Sequence, residues 1–131
     1  MAKTGENVFL RAIKLLDGME RDGTINESKI TSYRSLAPTI LTMLQGELLP
    51  VSTADTDVTS LSDNLSVSDK QALYVLPYGL AAELMISQDD DQTIAAYFSQ
   101  RYETMKRRFP TPATIIDIVD VYGVASDPSG G

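Results

Sequence analysis

The chain contains no cysteine, no histidine and no tryptophan. Without cysteine there is no disulfide framework, no thiolate nucleophile and no cysteine-ligated metal. Without histidine, zinc sites built on imidazole and every triad with an imidazole base are excluded as well. Carboxylates, lysine, serine and tyrosine are what remain for chemistry. No apolar run approaches the roughly 20 residues that a membrane-spanning helix requires. The opening Met1-Ala2-Lys3-Thr4-Gly5-Glu6 lacks the apolar stretch of a secretory leader. The expectation is a chain that matures in the cytoplasm where it is made and meets no membrane.

Positive charge is also scarce, with 11 Lys and Arg against 18 Asp and Glu and a net charge of −7. Affinity for nucleic acid comes from cations that displace counterions from phosphate, so a chain this acidic will not wrap DNA. It can still line a passage through which DNA slides without sticking. A length of 131 residues with 43% apolar content supports one domain around one hydrophobic core.

Helical periodicity dominates the first half. Val8, Phe9, Ala12, Ile13, Leu15, Leu16 and Met19 form one apolar stripe, opposed by Arg11, Lys14, Asp17 and Glu20. This spacing predicts a helix from about Glu6 to Arg21, with Thr4 as N-cap and Gly18 or Gly23 at its end. Asn26 reads as the cap of a second helix whose apolar face is Ile30, Tyr33, Ala37, Ile40, Leu41, Leu44 and Leu48. Pro38 falls inside that pattern, so a kink or division is expected near Ser35 to Ala37.

From Pro50 to Ser68 the chain is rich in Ser, Thr and Asp, punctuated by Val51, Val58, Leu61, Leu65 and Val67. Connections this long are uncommon in compact domains unless they do something. The expectation is that Val51, Val58, Leu61 and Leu65 contact a partner. Ser68-Asp69-Lys70-Gln71 then matches a capping box. It opens a helix bearing Leu73, Leu76, Leu80, Leu84 and Met85, interrupted by Pro77 and Gly79. After Asp89-Asp90-Asp91, a last helix turns Ile94, Phe98, Met105 and Phe109 inward. Lys106-Arg107-Arg108 suit its negative end, and Pro110 stops it.

Beyond Pro112 the texture is β-branched: Ile115-Ile116-Asp117-Ile118-Val119-Asp120-Val121-Tyr122. No second segment of similar strand character exists to pair with it, and an unpaired apolar strand is a liability on a monomer. Ile115, Ile116, Ile118, Val119, Val121 and Tyr122 are therefore expected to dock on a partner, by adding to its sheet or wrapping it. The competing reading is an edge strand folded onto its own domain.

Other candidates for chemistry are weaker. Asp89 to Asp91 point in different directions and lack calcium-loop spacing, so capping and solvation explain them better than a cation does. Lys106 to Arg108 lack interleaved aromatics and fit a helix dipole or a salt-bridged contact better than nucleic acid. Tyr74, Tyr78, Tyr97 and Tyr102 read as rim-of-core residues with wet hydroxyls. Nothing in the sequence pairs Glu83 with Glu103 as acid and base, and no glycine-rich phosphate loop is present. No catalytic set, metal site or cofactor is expected.

Two stretches, Leu76-Pro77-Tyr78-Gly79-Leu80-Ala81-Ala82-Glu83-Leu84 and Ala95-Ala96-Tyr97-Phe98-Ser99-Gln100-Arg101-Tyr102-Glu103, resemble a pattern of siphophage head–tail connector (adaptor) proteins. The ending Ile118-Val119-Asp120-Val121-Tyr122-Gly123 is similar to theirs too. The resemblance covers the last half of the chain. It implies a structural virion protein of the bacteriophage neck, assembled as a dodecameric ring beneath the portal and around the DNA channel. It implies three partners: other copies of the chain, the portal protein, and the next neck, stopper or tail protein. Residues 115 to 122 would be the portal-docking or strand-adding arm, and no catalytic residue or cofactor is carried over.

The fold expected is mainly α, a small bundle of four to five helices. Residues 1–110 form the bundle with a long central loop at 50–68, and residues 111–131 form an extended C-terminal strand or arm. The leading functional expectation is a head–tail adaptor ring subunit at the virion neck, made in the bacterial cytoplasm. A small phage-encoded binding module acting on a host protein is the alternative. A carboxylate or lysine enzyme would need a cleft gathering Asp17, Glu20, Glu83 and Glu103, for which the chain has little material.

Overall fold

Thr4 has extended backbone (φ −90°, ψ 159°), and its hydroxyl accepts the Asn7 amide at 3.3 Å. That cap starts the first helix in the computed structural model, which describes residues 4–18, 27–50, 57–87 and 92–111. The described helices are α1 (Gly5–Asp17), α2 (Glu27–Leu48), α3 (Asp69–Tyr74), α4 (Leu76–Ser87) and α5 (Gln92–Arg108). The protein is thus a mainly helical bundle, as the periodicity predicts.

α4 occupies the centre. Leu76, Pro77, Gly79, Leu80, Ala81, Ala82, Leu84 and Met85 are all buried, so the helix is covered on nearly every side. α1, α2, α3 and α5 all pack against it. α1 contributes Val8, Phe9, Ala12, Ile13 and Leu16, and α2 contributes Tyr33, Ala37, Leu41, Leu44 and Leu48. α5 contributes Ala95, Phe98 and Tyr102, with Ile94, Met105 and Phe109 packed at the margin. Arg34 of α2 bridges to α1 with a two-pronged ion pair to Glu6 (2.6 and 3.1 Å), its guanidinium 4.7 Å from the Phe9 ring centre. A pair this exposed contributes roughly 0–1 kcal/mol, so burial of the apolar stripes is what holds α1 and α2 together.

Three local expectations are corrected. Of the kink or division expected near Ser35 to Ala37, the division is absent: α2 is a single helix through Pro38. The lost amide bond is one among many in a long helix whose face is anchored before and after it by Tyr33, Ala37 and Leu41. The break between α3 and α4 falls at Val75 (φ −110°, ψ −57°), not at Pro77 or Gly79. Pro77 lies in the first turn of α4, where an amide has no helical partner to lose. α1 ends at Asp17, with the Gly18 amide bonded back to Lys14 and Leu16 carbonyls, several residues short of Arg21. Asn26 and Asp89 to Asp91 lie outside the described residues.

The capping box forms as expected. The Ser68 hydroxyl accepts the Gln71 amide at 3.1 Å, and Gln71 Oε1 accepts the Ser68 amide at 3.2 Å.

The segment before that box overturns a second kind of expectation. Val58, Leu61 and Leu65, expected to contact a partner, are buried in the chain's own core together with Val67. Val51 lies outside the described residues. The segment is locked in place because it completes the start of α1. The Gly5 amide donates to the Asp63 carbonyl at 3.2 Å, and the Glu6 amide donates to the Leu61 carbonyl at 2.7 Å. The opening amides of a helix have no partners within it, so here the loop supplies them. Thr4 and Asn64 also form an isolated antiparallel bridge. Glycine permits this approach, since a Cβ at Gly5 would fall 3.2 Å from Leu61 Cα.

Three more contacts fix the same segment. The Asp63 carboxylate accepts the Thr59 amide and hydroxyl and the Ser60 amide, at 3.0, 3.1 and 3.2 Å. Those bonds hold its pKa below the usual carboxylate range. On the α2 side, Thr42 Oγ1 accepts the Val58 amide at 2.7 Å, and Gln45 Oε1 accepts the Ser66 amide at 3.0 Å.

Leu65→Ala should therefore lose about 2–5 kcal/mol of stability, read as a lower urea midpoint for the isolated protein. A change below ~0.5 kcal/mol would return Leu65 to the surface.

Candidate functional site

The two stretches that carry the family resemblance are α4 and most of α5, and they interlock. A Cβ at Gly79 would come within 2.8 Å of Tyr102 Cδ1 and Cε1 and 3.2 Å of Leu44 Cδ1. The absent side chain is what lets the Tyr102 ring lie against α4. Tyr78 meets Phe98 with ring centres 6.4 Å apart, and the Arg101 guanidinium lies 5.2 Å from the centre of the Tyr78 ring. These residues pack α4 against α5.

Tyr102 departs from the expected wet rim position. It is 6% exposed, and its hydroxyl donates to Glu47 Oε1 at 2.9 Å. Lys106 lies over its ring at 4.7 Å and reaches Glu103 at 3.1 Å and Glu47 at 3.4 Å. The first member of the basic triplet thus ties α5 to α2. Burial, and then the neighbouring Glu47 carboxylate, push the Tyr102 pKa well above the ordinary tyrosine range, with Glu103 and Glu83 adding to it. Glu83 and Glu103 share this neighbourhood, but both side chains are exposed. No group of three or more acidic side chains is placed to hold a metal ion among the described residues. No helix among them is long and apolar enough to cross a membrane.

Two buried glutamines were not legible as such. Gln45 and Gln71 are 1% and 2% exposed. Beyond its capping bond, Gln71 donates through Nε2 to the Phe109 carbonyl at 3.1 Å and to Thr111 Oγ1 at 3.0 Å. The Thr111 hydroxyl in turn donates to the Leu48 carbonyl at the end of α2, and the Phe109 ring stacks on Tyr74 at 5.5 Å. The chain is therefore pinned at Thr111, at the threshold of the C-terminal segment. Ile115, Ile116, Ile118, Val119, Val121 and Tyr122 lie outside the described residues.

No protein-family model, curated protein or solved structure matches this chain.

A depression with an apolar floor and a charged rim opens between α1, α3, α4 and α5. It has a volume of about 280 Å³. α1 supplies Arg11, Lys14 and Leu15, α3 supplies Leu73 and Tyr74, α4 supplies Pro77 and Tyr78, and α5 supplies Met105. Arg11 and Lys14 are exposed and form no ion pair among the described residues. Its lining carries two cations, Arg11 and Lys14, and two phenol rings, Tyr74 and Tyr78, with no carboxylate. A more open surface between Ser35, Pro38, Thr39, Met43 and Asp57 mixes polar and apolar lining and offers no cation.

The Tyr102 environment predicts an alkaline limb in stability. The folded state keeps a proton that an unfolded tyrosine gives up near pH ~10. The contribution is complete below that pH and is lost as pH rises beyond it. Tyr102→Phe should cost about 1 kcal/mol at neutral pH through the lost hydrogen bond. It should also flatten the fall in melting temperature above about pH 10 relative to the parent chain. Parallel melting curves from neutral to alkaline pH check both.

Proposed function

We propose that the protein is a non-catalytic structural subunit of a bacteriophage virion. In this reading it is a head–tail adaptor that assembles as a ring beneath the portal and continues the DNA channel toward the tail. The observation that carries the reading is the α4–α5 hairpin. The two stretches that resemble adaptor proteins are one interlocked unit built on Gly79, Tyr78, Phe98 and Tyr102.

Two further features support it. The chain carries a net charge of −7, which suits a collar through which DNA passes without specific binding. The loop residues Val58, Leu61 and Leu65, first expected to contact a partner, serve the core instead, so this reading assigns assembly to residues 115 to 122. The partners under this reading are sister copies, the portal protein, and the next neck or stopper protein.

The test is the mass, by analytical ultracentrifugation, of the full-length chain alone and mixed with portal rings of the same phage. A chain ending at Thr111 is run beside it. Thr111 is retained because its hydroxyl and the Phe109 carbonyl hold the end of α5 to Gln71 and Leu48. The full-length chain should reach ring mass and join the portal, and the shortened chain should stay behind. A small oligomer indifferent to portal rings would contradict the reading and favour a module that binds a host protein.

A further inference from the structure

We infer that the groove between α1, α3, α4 and α5 receives residues 115 to 122 of a neighbouring copy of this chain. The inference rests on the reading of that segment as an assembly arm and names what receives it.

Three observations converge. The first is chemical fit. The groove has an apolar floor of Leu15, Leu73, Pro77 and Met105, with Arg11 and Lys14 on one wall. The segment Ile115-Ile116-Asp117-Ile118-Val119-Asp120-Val121-Tyr122 carries the complementary pattern. In an extended chain, alternate residues face one side. One side would then offer Ile116, Ile118, Asp120 and Tyr122, and the other Ile115, Asp117, Val119 and Val121. Either side brings branched aliphatic groups and one carboxylate.

The second is charge. Arg11 and Lys14 stand one helical turn apart on the groove wall, without an ion-pair partner among the described residues. A carboxylate arriving with the segment would find two cations in place. Opposite charges across an interface steer encounter and fix register. The floor supplies the burial and the rim supplies the orientation.

The third is where the described chain stops. Met105 lines the groove and Phe109 stacks on Tyr74 at its edge; beyond them Thr111 is bonded to Leu48 and Gln71, neither of which lines it. Pro110 and Pro112 flank Thr111. A proline fixes its own φ and biases the residue before it toward extended backbone. To fill its own groove the chain would have to reverse at once, at the point where those prolines favour extension. An arm arriving from a neighbour meets no such restriction. Five extended residues reach roughly 17 Å, enough for Ile116 to leave the pinned Thr111 well behind.

The absence of cysteine makes the test clean, because any introduced thiol is unique. Full-length Lys14→Cys and full-length Ile118→Cys, one of them tagged, are mixed under mild oxidation. A disulfide-linked heterodimer is expected. Its yield should fall about tenfold when Arg11→Glu is added to the Lys14→Cys chain, because a repelling charge then faces the arriving carboxylate. A heterodimer indifferent to Arg11→Glu would overturn the inference, as would an internal disulfide in a chain carrying both Lys14→Cys and Ile118→Cys if the two single variants, when mixed, form none. The ultracentrifuge mass of each variant, with and without portal rings, separates this inference from the reading beneath it. A chain that reaches ring mass without the cross-link overturns the groove and leaves the adaptor standing. A chain that stays monomeric with portal rings present overturns both.

Discussion

The rest of the structure follows from one constraint: α4 is apolar on nearly all sides and must be covered on all of them. A helix with one apolar stripe needs one neighbour, whereas a helix buried all round needs a shell. α1, α2, α3 and α5 all pack against α4, and the irregular segment from 57 to 68 adds Val58, Leu61, Leu65 and Val67 to the same core. Small residues set the approach distances. Gly79 lets Tyr102 lie against the central helix, and Ala81 and Ala82 let its neighbours come near. The same packing that gives Tyr102 its place removes its hydroxyl from water and leaves Glu47 as its partner.

The segment from 57 to 68 shows how an irregular stretch becomes part of a core. Its backbone carbonyls meet the opening amides of α1, and its own amides are met by Thr42, Gln45 and the Asp63 carboxylate. Polar groups that would be costly to bury are paired, which frees Val58, Leu61, Leu65 and Val67 to face inward. This changes the functional reading as well as the fold. A stretch that looks like a contact loop by composition is structural over residues 57 to 68, and the proposed function accordingly places assembly on the groove beside α1 and the C-terminal segment.

Much of the architecture was legible from residue patterns because helical stripes depend on local spacing. The Thr4 cap, the Ser68–Gln71 box and the basic last turn of α5 are local too. What was not legible depends on contacts between segments distant in the chain. The burial of Leu61 and Leu65 is decided by where α1 begins, far away in sequence. Pro38 reads as a breaker, but tertiary packing along α2 outweighs one missing amide bond. Tyr102 reads as amphipathic and wet, and only the fold reveals that Gly79 makes room for it. Gln45 left a faint trace, a polar residue between Leu41, Leu44 and Leu48 on an otherwise apolar face. The groove left none, since its lining comes from α1, α3, α4 and α5, and only folding places Arg11 beside Tyr74 and Met105.

The proposed function assigns assembly to residues 115 to 122 and a structural role to the segment from 57 to 68. Hydrogen exchange, compared between the free chain and the chain assembled on portal rings, is the measurement that separates the two roles. The expected result is slowed exchange across residues 115 to 122 on assembly, with the amides from Val58 to Val67 unchanged and as protected as those of α4 in both states. Slowing confined to Val58 to Val67, with 115 to 122 unaffected, would contradict it and make the central segment the contact surface after all.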